Sequence, residues 1–226
     1  MSDVLIFGAQ RDIMLPAFHA LTANIPCVLV RRPEDLSIAL LERVKPRLVV
    51  LPDWSWIVPD DLLARATFIG FHASALPDYR GGSPLQHQIL DGLNETKLTM
   101  FRMAAGLDNG PILLDAPLSL AGTISEIWQR IAALVPPMVT RLLHGDVEEK
   151  PQPIGGFVRK RRTPDQSELT DPALSLSRWY DMLRALDDPY PNAFVRVGGK
   201  RIAFRKPRLS GDALIAEAVI REEPSK

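Results

Sequence analysis

His72 and Asp108 are the two side chains whose type and setting best suit proton and charge chemistry. His72 ends an apolar run at 67–72 and precedes Leu76-Pro77-Asp78-Tyr79-Arg80-Gly81-Gly82; Asp108 opens an Asp-Asn-Gly turn 36 residues later. A carboxylate beside a histidine favours the imidazolium and fixes its orientation. The imidazolium can then stabilise an oxyanion and pass a proton, directly or through water. The glycines of the intervening loop let backbone approach a ligand closely. Each feature has a plainer reading by itself. His72 behind an apolar strand reads as structural, Asp108-Asn109-Gly110 as an ordinary turn, and Arg80-Gly81-Gly82 as a plain loop. Their ordered combination is what points to a site.

The surrounding pattern supplies elements to position them. Residues 4–8, 27–30, 47–51 and 67–72 are short, nearly continuous apolar runs, while 12–23 and 35–44 have helical spacing. Such strands alternating with helices predict a parallel sheet covered on both faces. A helix is expected over 84–93 and a strand over 97–104, ending just before Asp108. Residues 124–143 form a long amphipathic stretch, expected to be interrupted at Pro136-Pro137. Prolines, glycines and charges at 146–172 suggest a linker, dividing the chain into 1–150 and a smaller region at 151–226. There, a helix over 174–186 precedes strands at 193–197 and 201–204, joined by the hairpin signal Gly198-Gly199. The fold class is therefore α/β, a Rossmann-like parallel-sheet domain followed by a small α+β subdomain. In open sheets of this kind, ligands gather at the carboxyl ends of strands, where both His72 and Asp108 are expected.

Composition narrows the function classes. Lys+Arg and Asp+Glu number 27 each, and this zero net charge argues against broad nucleic-acid binding. The single Cys27 forms no intrachain disulfide and suits the cytosol. With no 18-residue apolar run and no secretory signal, a cytoplasmic protein with no membrane partner is expected. The four histidines, His19, His72, His87 and His144, show no metal-ligand spacing, so no metal is expected.

The segment from His72 to Asp108 resembles the active-site segment of the folate-dependent formyltransferases, which transfer a one-carbon unit from 10-formyltetrahydrofolate to an amine. Arg161-Arg162-Thr163-Pro164-Asp165-Gln166-Ser167-Glu168 and residues 183–194 resemble the C-terminal part of those acting on nucleotide-linked amino sugars, of the 4-amino-arabinose and pseudaminic-acid types. The resemblance implies His72 and Asp108 as the catalytic pair. It also exposes a departure: the family's usual asparagine two residues before the histidine is Gly70 here. His87, Gln86 and Asn109 are candidates to replace its amide.

The same resemblance implies a pterin-binding loop at 51–59, with Ala104, Ala105, Gly106 and Leu107 as the facing wall. Trp54 and Trp56 would stack on the pterin or on a substrate base, the competing reading being that one of them is core packing. Arg80, Gly81, Gly82 and Ser83 would line the substrate side, although Arg80 also suits a structural role. Arg161 and Arg162 would clamp a diphosphate, or form a solvated basic stretch. The expected partners are folate and a small sugar nucleotide rather than nucleic acid, in a homodimer formed through the C-terminal part. Methionyl-tRNA, glycinamide ribonucleotide and hydroxyornithine remain as other acceptors. A catalytically weakened folate or sugar-nucleotide binding protein is the non-enzymatic reading.

Overall fold

Strands β1 (Leu5–Ala9) and β3 (Leu48–Asp53) are buried along their whole lengths, as continuous apolar runs must be when helices cover both faces of a sheet. They lie beside each other in a six-stranded sheet with β2 (Cys27–Val30), β4 (Phe68–His72), β6 (Glu95–Arg102) and β7 (Ile112–Ser119), in the order β2-β1-β3-β4-β6-β7. The pairs β1–β2, β1–β3 and β3–β4 are parallel, while β4–β6 is antiparallel. This is a Rossmann-like α/β arrangement whose strand order reverses between β1 and β3. The computed structural model describes residues 3–223.

The chain forms two compact units, and they interleave along the sequence. One comprises Met1–Gly81, Thr96–Leu118 and Trp128–Val158; the other comprises Gly82–Glu95, Ser119–Ile127 and Arg159–Lys226. A linear division at 150 therefore leaves two earlier segments with the first part of the chain. Two-residue segments β5 (Arg80–Gly81) and β8 (Val158–Arg159) fall where the sequence passes from one unit to the other, and the second unit contains helices α4 (Pro84–Leu90) and α6 (Leu176–Ala185) and the sheet β11-β10-β9. Its strands are β9 (Phe194–Val197), β10 (Lys200–Ser210) and β11 (Ala213–Glu222). Gly198 and Gly199 have positive φ and form the expected hairpin between β9 and β10.

Helix boundaries follow local backbone chemistry. Helix α1 (Leu15–Thr22) starts later than its apolar spacing suggests, with Pro16 in its first turn and a 3-10 turn before it. Helix α2 (Ile38–Val44) starts after Ser37, whose Oγ accepts the Leu40 N–H at 3.2 Å. A short helix α3 (Asp60–Leu63) follows β3. Helix α5 (Ile124–His144) corrects an expectation, since it continues through Pro136 and Pro137. Each proline costs about 3 kcal/mol in a helix interior. Against this, Ile131, Val135, Met138 and Val139 are all buried on one face, each contributing roughly 1.5–3 kcal/mol. Burial outweighs the two missing amides. No helix among the described residues is long and apolar enough to cross a membrane.

The carboxyl ends of β1 and β3 are locked by charge. Asp53 is buried and accepts the Arg11 backbone N–H at 2.9 Å and its Nε–H at 3.1 Å, while Arg11 Nη2 pairs with Oδ1. Gln10 N–H donates to the Asp53 carbonyl at 3.0 Å. The Arg11 guanidinium also stacks 4.1 Å from the Trp128 ring centroid. Removing the cation leaves a buried carboxylate short of partners. Arg11→Met should lower unfolding free energy by about 3 kcal/mol, measured by urea denaturation; a change within 0.5 kcal/mol, the usual range of an ordinary surface substitution, would remove this lock from the account.

Candidate active site

His72 is the last residue of β4, at the carboxyl edge of the sheet, and is 6% exposed. Its Nε2 lies 2.7 Å from the Tyr79 carbonyl oxygen. A carbonyl only accepts, so Nε2 carries the proton in that hydrogen bond. The other ring nitrogen, Nδ1, faces Asp108 Oδ2 at 3.5 Å. That separation is longer than a good hydrogen bond. One side of the ring is thus anchored, and the other remains poised beside a carboxylate.

One hydrogen bond sets the carboxylate directly, and contacts of the surrounding turn set the backbone that carries it. Asp108 has φ 48°, a left-handed conformation that aspartate tolerates better than most residues. Its Oδ2 accepts the Gly81 N–H at 2.9 Å. Gln152 Nε2 bridges the Asp108 and Gly110 carbonyls at 2.7 and 2.8 Å. At Gly110, a Cβ would overlap the Arg102 carbonyl, so only glycine allows the turn to lie this close to β6. Gln152 was not singled out by sequence, because a glutamine between two prolines in a linker-like stretch has no local signature. Tyr79 was visible only as part of its loop.

The departure at Gly70 has a structural counterpart. Gly70 pairs with Phe101 across β4 and β6. A Cβ at Gly70 would lie 2.7 Å from Phe101 Cζ and 3.1 Å from Met103 Cγ. The volume beside the backbone where an asparagine side chain would begin is filled by the phenylalanine ring. No small rotamer adjustment opens it, because Phe101 is itself buried.

The three candidates for the missing amide sit in different settings. Asn109 Oδ1 accepts from Arg80 Nη1 at 3.2 Å, so its NH2 points away from the guanidinium. In the second unit, His87 Nε2 donates to the Lys160 carbonyl at 2.9 Å, and Gln86 is buried with no partner for Nε2. Arg80 donates its other terminal nitrogen to the Gly155 carbonyl at 2.9 Å. Its guanidinium holds loops together, consistent with the structural reading of that residue.

Ala104, Ala105, Gly106 and Leu107 form an exposed wall between β6 and Asp108. Their backbone N–H and C=O groups have no hydrogen-bond partner among the described residues. Exposed backbone groups of this kind can read the donor and acceptor edge of a heterocycle, and the segment therefore fits a pterin. The two tryptophans divide their roles. Trp54 packs against the apolar core and over Gly8, whereas Trp56 is 36% exposed, with its ring held 5.0 Å from Trp54 in an edge contact.

In the second unit, Gly82 N–H donates to the Arg159 carbonyl at 2.9 Å, and a Cβ at Gly82 would overlap Arg161 backbone. Ser83 Oγ accepts the Arg162 N–H at 3.1 Å. Arg162 turns inward, donates to the Gln166 carbonyl and is half-buried, which lowers its pKa by desolvation. Arg161 is exposed and has no side-chain partner among the described residues. Of the expected arginine clamp, only Arg161 is thus free in this arrangement.

Sequence comparison agrees with this geometry. Residues 30–138 match the family model described as Formyl transferase, and 164–221 match the one described as Methionyl-tRNA formyltransferase, C-terminal domain. The methionyl-tRNA formyltransferase of Pseudomonas putida is 31% identical over 90% of this chain and 69% of its own length. The chain belongs to the formyltransferase family. The methionyl-tRNA formyltransferase of Myxococcus xanthus is 30% identical over 81% of this chain, but the match covers 61% of that protein. The chain thus spans about three fifths of the length of the first curated relatives it matches. A solved structure, a methionyl-tRNA formyltransferase from Clostridium thermocellum, superposes with a TM-score of 0.92 at 29% identity, covering 98% of this chain and all of that one. Structures described as sugar N-formyltransferases, from a Shewanella species and Mycobacterium tuberculosis, are more distant, at 18% identity with TM-scores of 0.66 and 0.70, and share the fold. Formyltransferases use 10-formyltetrahydrofolate.

The packing at Gly70 can be measured directly. Gly70→Ala should destabilise the protein by about 1–3 kcal/mol through overpacking. Combined with Phe101→Ala, it should cost less than the sum of the two single changes, because the contact is shared. Strict additivity in chemical denaturation would mean that the ring does not occupy this space.

Proposed function

We propose that this chain transfers the formyl group of 10-formyltetrahydrofolate to a primary amine. The observation that carries the reading is His72 held between the Tyr79 carbonyl and the Asp108 carboxylate at the edge of a Rossmann-like sheet. The pterin would lie against the free backbone groups of Ala104 to Leu107, and the formyl carbon beside His72 Nδ1.

The reaction needs no covalent enzyme intermediate. Burial pushes the Cys27 thiol up to about 11, so it is not an activated nucleophile at neutral pH. The acceptor nitrogen attacks the formyl carbon and the carbonyl electrons move onto oxygen. The oxyanion is stabilised by a protonated His72 through Nδ1–H, since Nε2–H is engaged by Tyr79. Asp108 Oδ1, which has no partner among the described residues, takes the proton released by the attacking amine. Collapse breaks the bond to the folate nitrogen N10, which receives a proton from His72. The products are the formamide and tetrahydrofolate. Asn109, with its carboxamide oxygen fixed by Arg80, is the donor we assign in place of the absent asparagine.

Methionyl-tRNA is the acceptor named for the relatives of about 30% identity, and it is the first reading for this chain. A sugar nucleotide is the second. It is favoured by the balance of 27 basic and 27 acidic residues, which gives little overall attraction to a polyanion, and by the Arg161-Arg162-Thr163-Pro164 block.

An assay with 10-formyltetrahydrofolate should include methionyl-tRNA and a panel of amino-sugar nucleotides, with formylated product measured by mass spectrometry. His72→Ala and Asp108→Ala should each lower kcat by about 10²–10⁴-fold. Full activity in either variant would sink the mechanism. Asn109→Ala should reduce kcat by about 10²-fold without changing KM for the folate; an unchanged kcat would remove Asn109 from the reaction.

A further inference from the structure

Residues 150–157 run as a strap along the His72 edge of the sheet and touch the loops on both sides of the imidazole. Lys150 begins the strap, exchanging backbone hydrogen bonds with Ile112 of β7 at 2.7 and 2.8 Å. Arg80 ties its middle, with one terminal nitrogen on Asn109 Oδ1 and the other on the Gly155 carbonyl. At Gly156, φ is 76° and a Cβ would stand 2.3 Å from the Pro77 carbonyl oxygen, so glycine permits the close approach. We propose that Gln152 and Phe157 are positioning residues for His72: Gln152 sets the carboxylate beside its Nδ1, and Phe157 sets the carbonyl that holds its Nε2. The proposal rests on the formyl-transfer reading for what the imidazole does, while the positioning itself can be tested without substrate.

Gln152 acts through its amide nitrogen. Nε2 donates to the Asp108 and Gly110 carbonyls at 2.7 and 2.8 Å, while Oε1 is buried with no hydrogen-bond partner. A buried acceptor left unpaired is unfavourable, so packing alone would be served better by an apolar side chain. An apolar residue cannot supply the two N–H donors that pin the carbonyls on either side of Asn109. That pinning keeps Asp108 at φ 48°, with Oδ2 turned to the imidazole.

Phe157 acts at the opposite nitrogen. Its ring meets the Tyr79 ring edge-on with centroids 4.7 Å apart, and its carbonyl accepts the Arg80 N–H at 3.1 Å. The Arg80 N–H and the Tyr79 carbonyl belong to one planar peptide group. A grip on the N–H from Phe157 therefore aims the carbonyl the other way, at His72 Nε2. Tyr79 sits at φ 55°, which a bulky residue adopts only where its surroundings impose it. Phe157 is 41% exposed, so a place in the core does not account for its ring.

Nitrogen-15 NMR of the His72 ring in the full chain reads the positioning directly, with the signals assigned against His72→Ala. At about pH 9, where imidazole is neutral, the wild type should show the Nε2–H tautomer. Phe157→Ala should populate the Nδ1–H form as well, because the Tyr79 carbonyl is less firmly aimed while the Asp108 carboxylate stays in place. Gln152→Leu should keep the tautomer but lower kcat about 10- to 100-fold, with KM for 10-formyltetrahydrofolate unchanged. Gln152→Glu, close in shape but without the N–H donors, should lose as much. On an Asp108→Ala background, Gln152→Leu should cost less than about two-fold, since it acts through that carboxylate. Thermal unfolding checks that each variant is folded, and Ile154→Ser, at a fully exposed position of the strap, should change none of these readings. An unchanged tautomer in Phe157→Ala overturns the proposal, as does full kcat in Gln152→Leu or Gln152→Glu. An equal loss from Gln152→Leu with and without Asp108 would also overturn it, by assigning Gln152 a purely structural role. If the wild type formylates no amine, the formyl-transfer reading falls and the tautomer still decides the positioning.

Discussion

A single carboxylate oxygen organises the site. Asp108 Oδ2 receives the Gly81 N–H and faces His72 Nδ1, so it joins the loop after β4, the turn after β6 and the end of β4 itself. That position requires a left-handed aspartate, a strained conformation costing of order 1 kcal/mol or more. It persists because the turn is held from both sides. Gln152 bridges the carbonyls on one side, and Gly110 lies against the Arg102 carbonyl on the other. The geometry of the pair is thereby fixed largely by backbone contacts, which vary less with side-chain motion than a chain of long polar residues.

Gly70 shows how packing and chemistry trade places on one strand. In a parallel sheet covered on both faces, a residue two positions before His72 points to the same side as the histidine. An amide there would serve chemistry. In this chain the buried Phe101 ring covers that position with an apolar surface. Hydrogen-bond donation to a ligand would then fall to other groups, such as Asn109, which follows Asp108.

Much of the scaffold was legible because its signals are local. Strands β1 to β4 appear as unbroken apolar runs, and the hairpin after β9 is written in two adjacent glycines. The resemblance of the His72–Asp108 segment located the pair that the structure brings together. Other features depend on contacts between distant residues. The apolar pattern of β7 is broken by Asp115 and Pro117, yet the strand runs unbroken at the sheet edge, where a proline is accommodated. Helix α5 keeps two prolines because a buried face compensates for them, which no local propensity reports. Phe101 is an ordinary strand residue until its register with Gly70 is known. The interleaving of the two units is equally hidden, since it requires residues 82–95 and 119–127 to leave their sequence neighbours.

The parallel register also explains how the lock at the end of β1 bears on the His72 edge. Leu51 pairs with Gly70, so Asp53 stands level with His72 on the neighbouring strand. The β1 end lies one strand further, and adjacent strands are about 4.8 Å apart, which puts roughly 10 Å between the lines of β4 and β1. The Arg11–Asp53 pair stands between these positions and fixes their spacing, since it ties the end of β1 to β3. Its structural role would then reach the proposed chemistry: loosening it would shift the end of β3, which stands level with His72, and a displacement of about 1 Å is enough to slow an oriented bimolecular reaction by as much as 10²-fold.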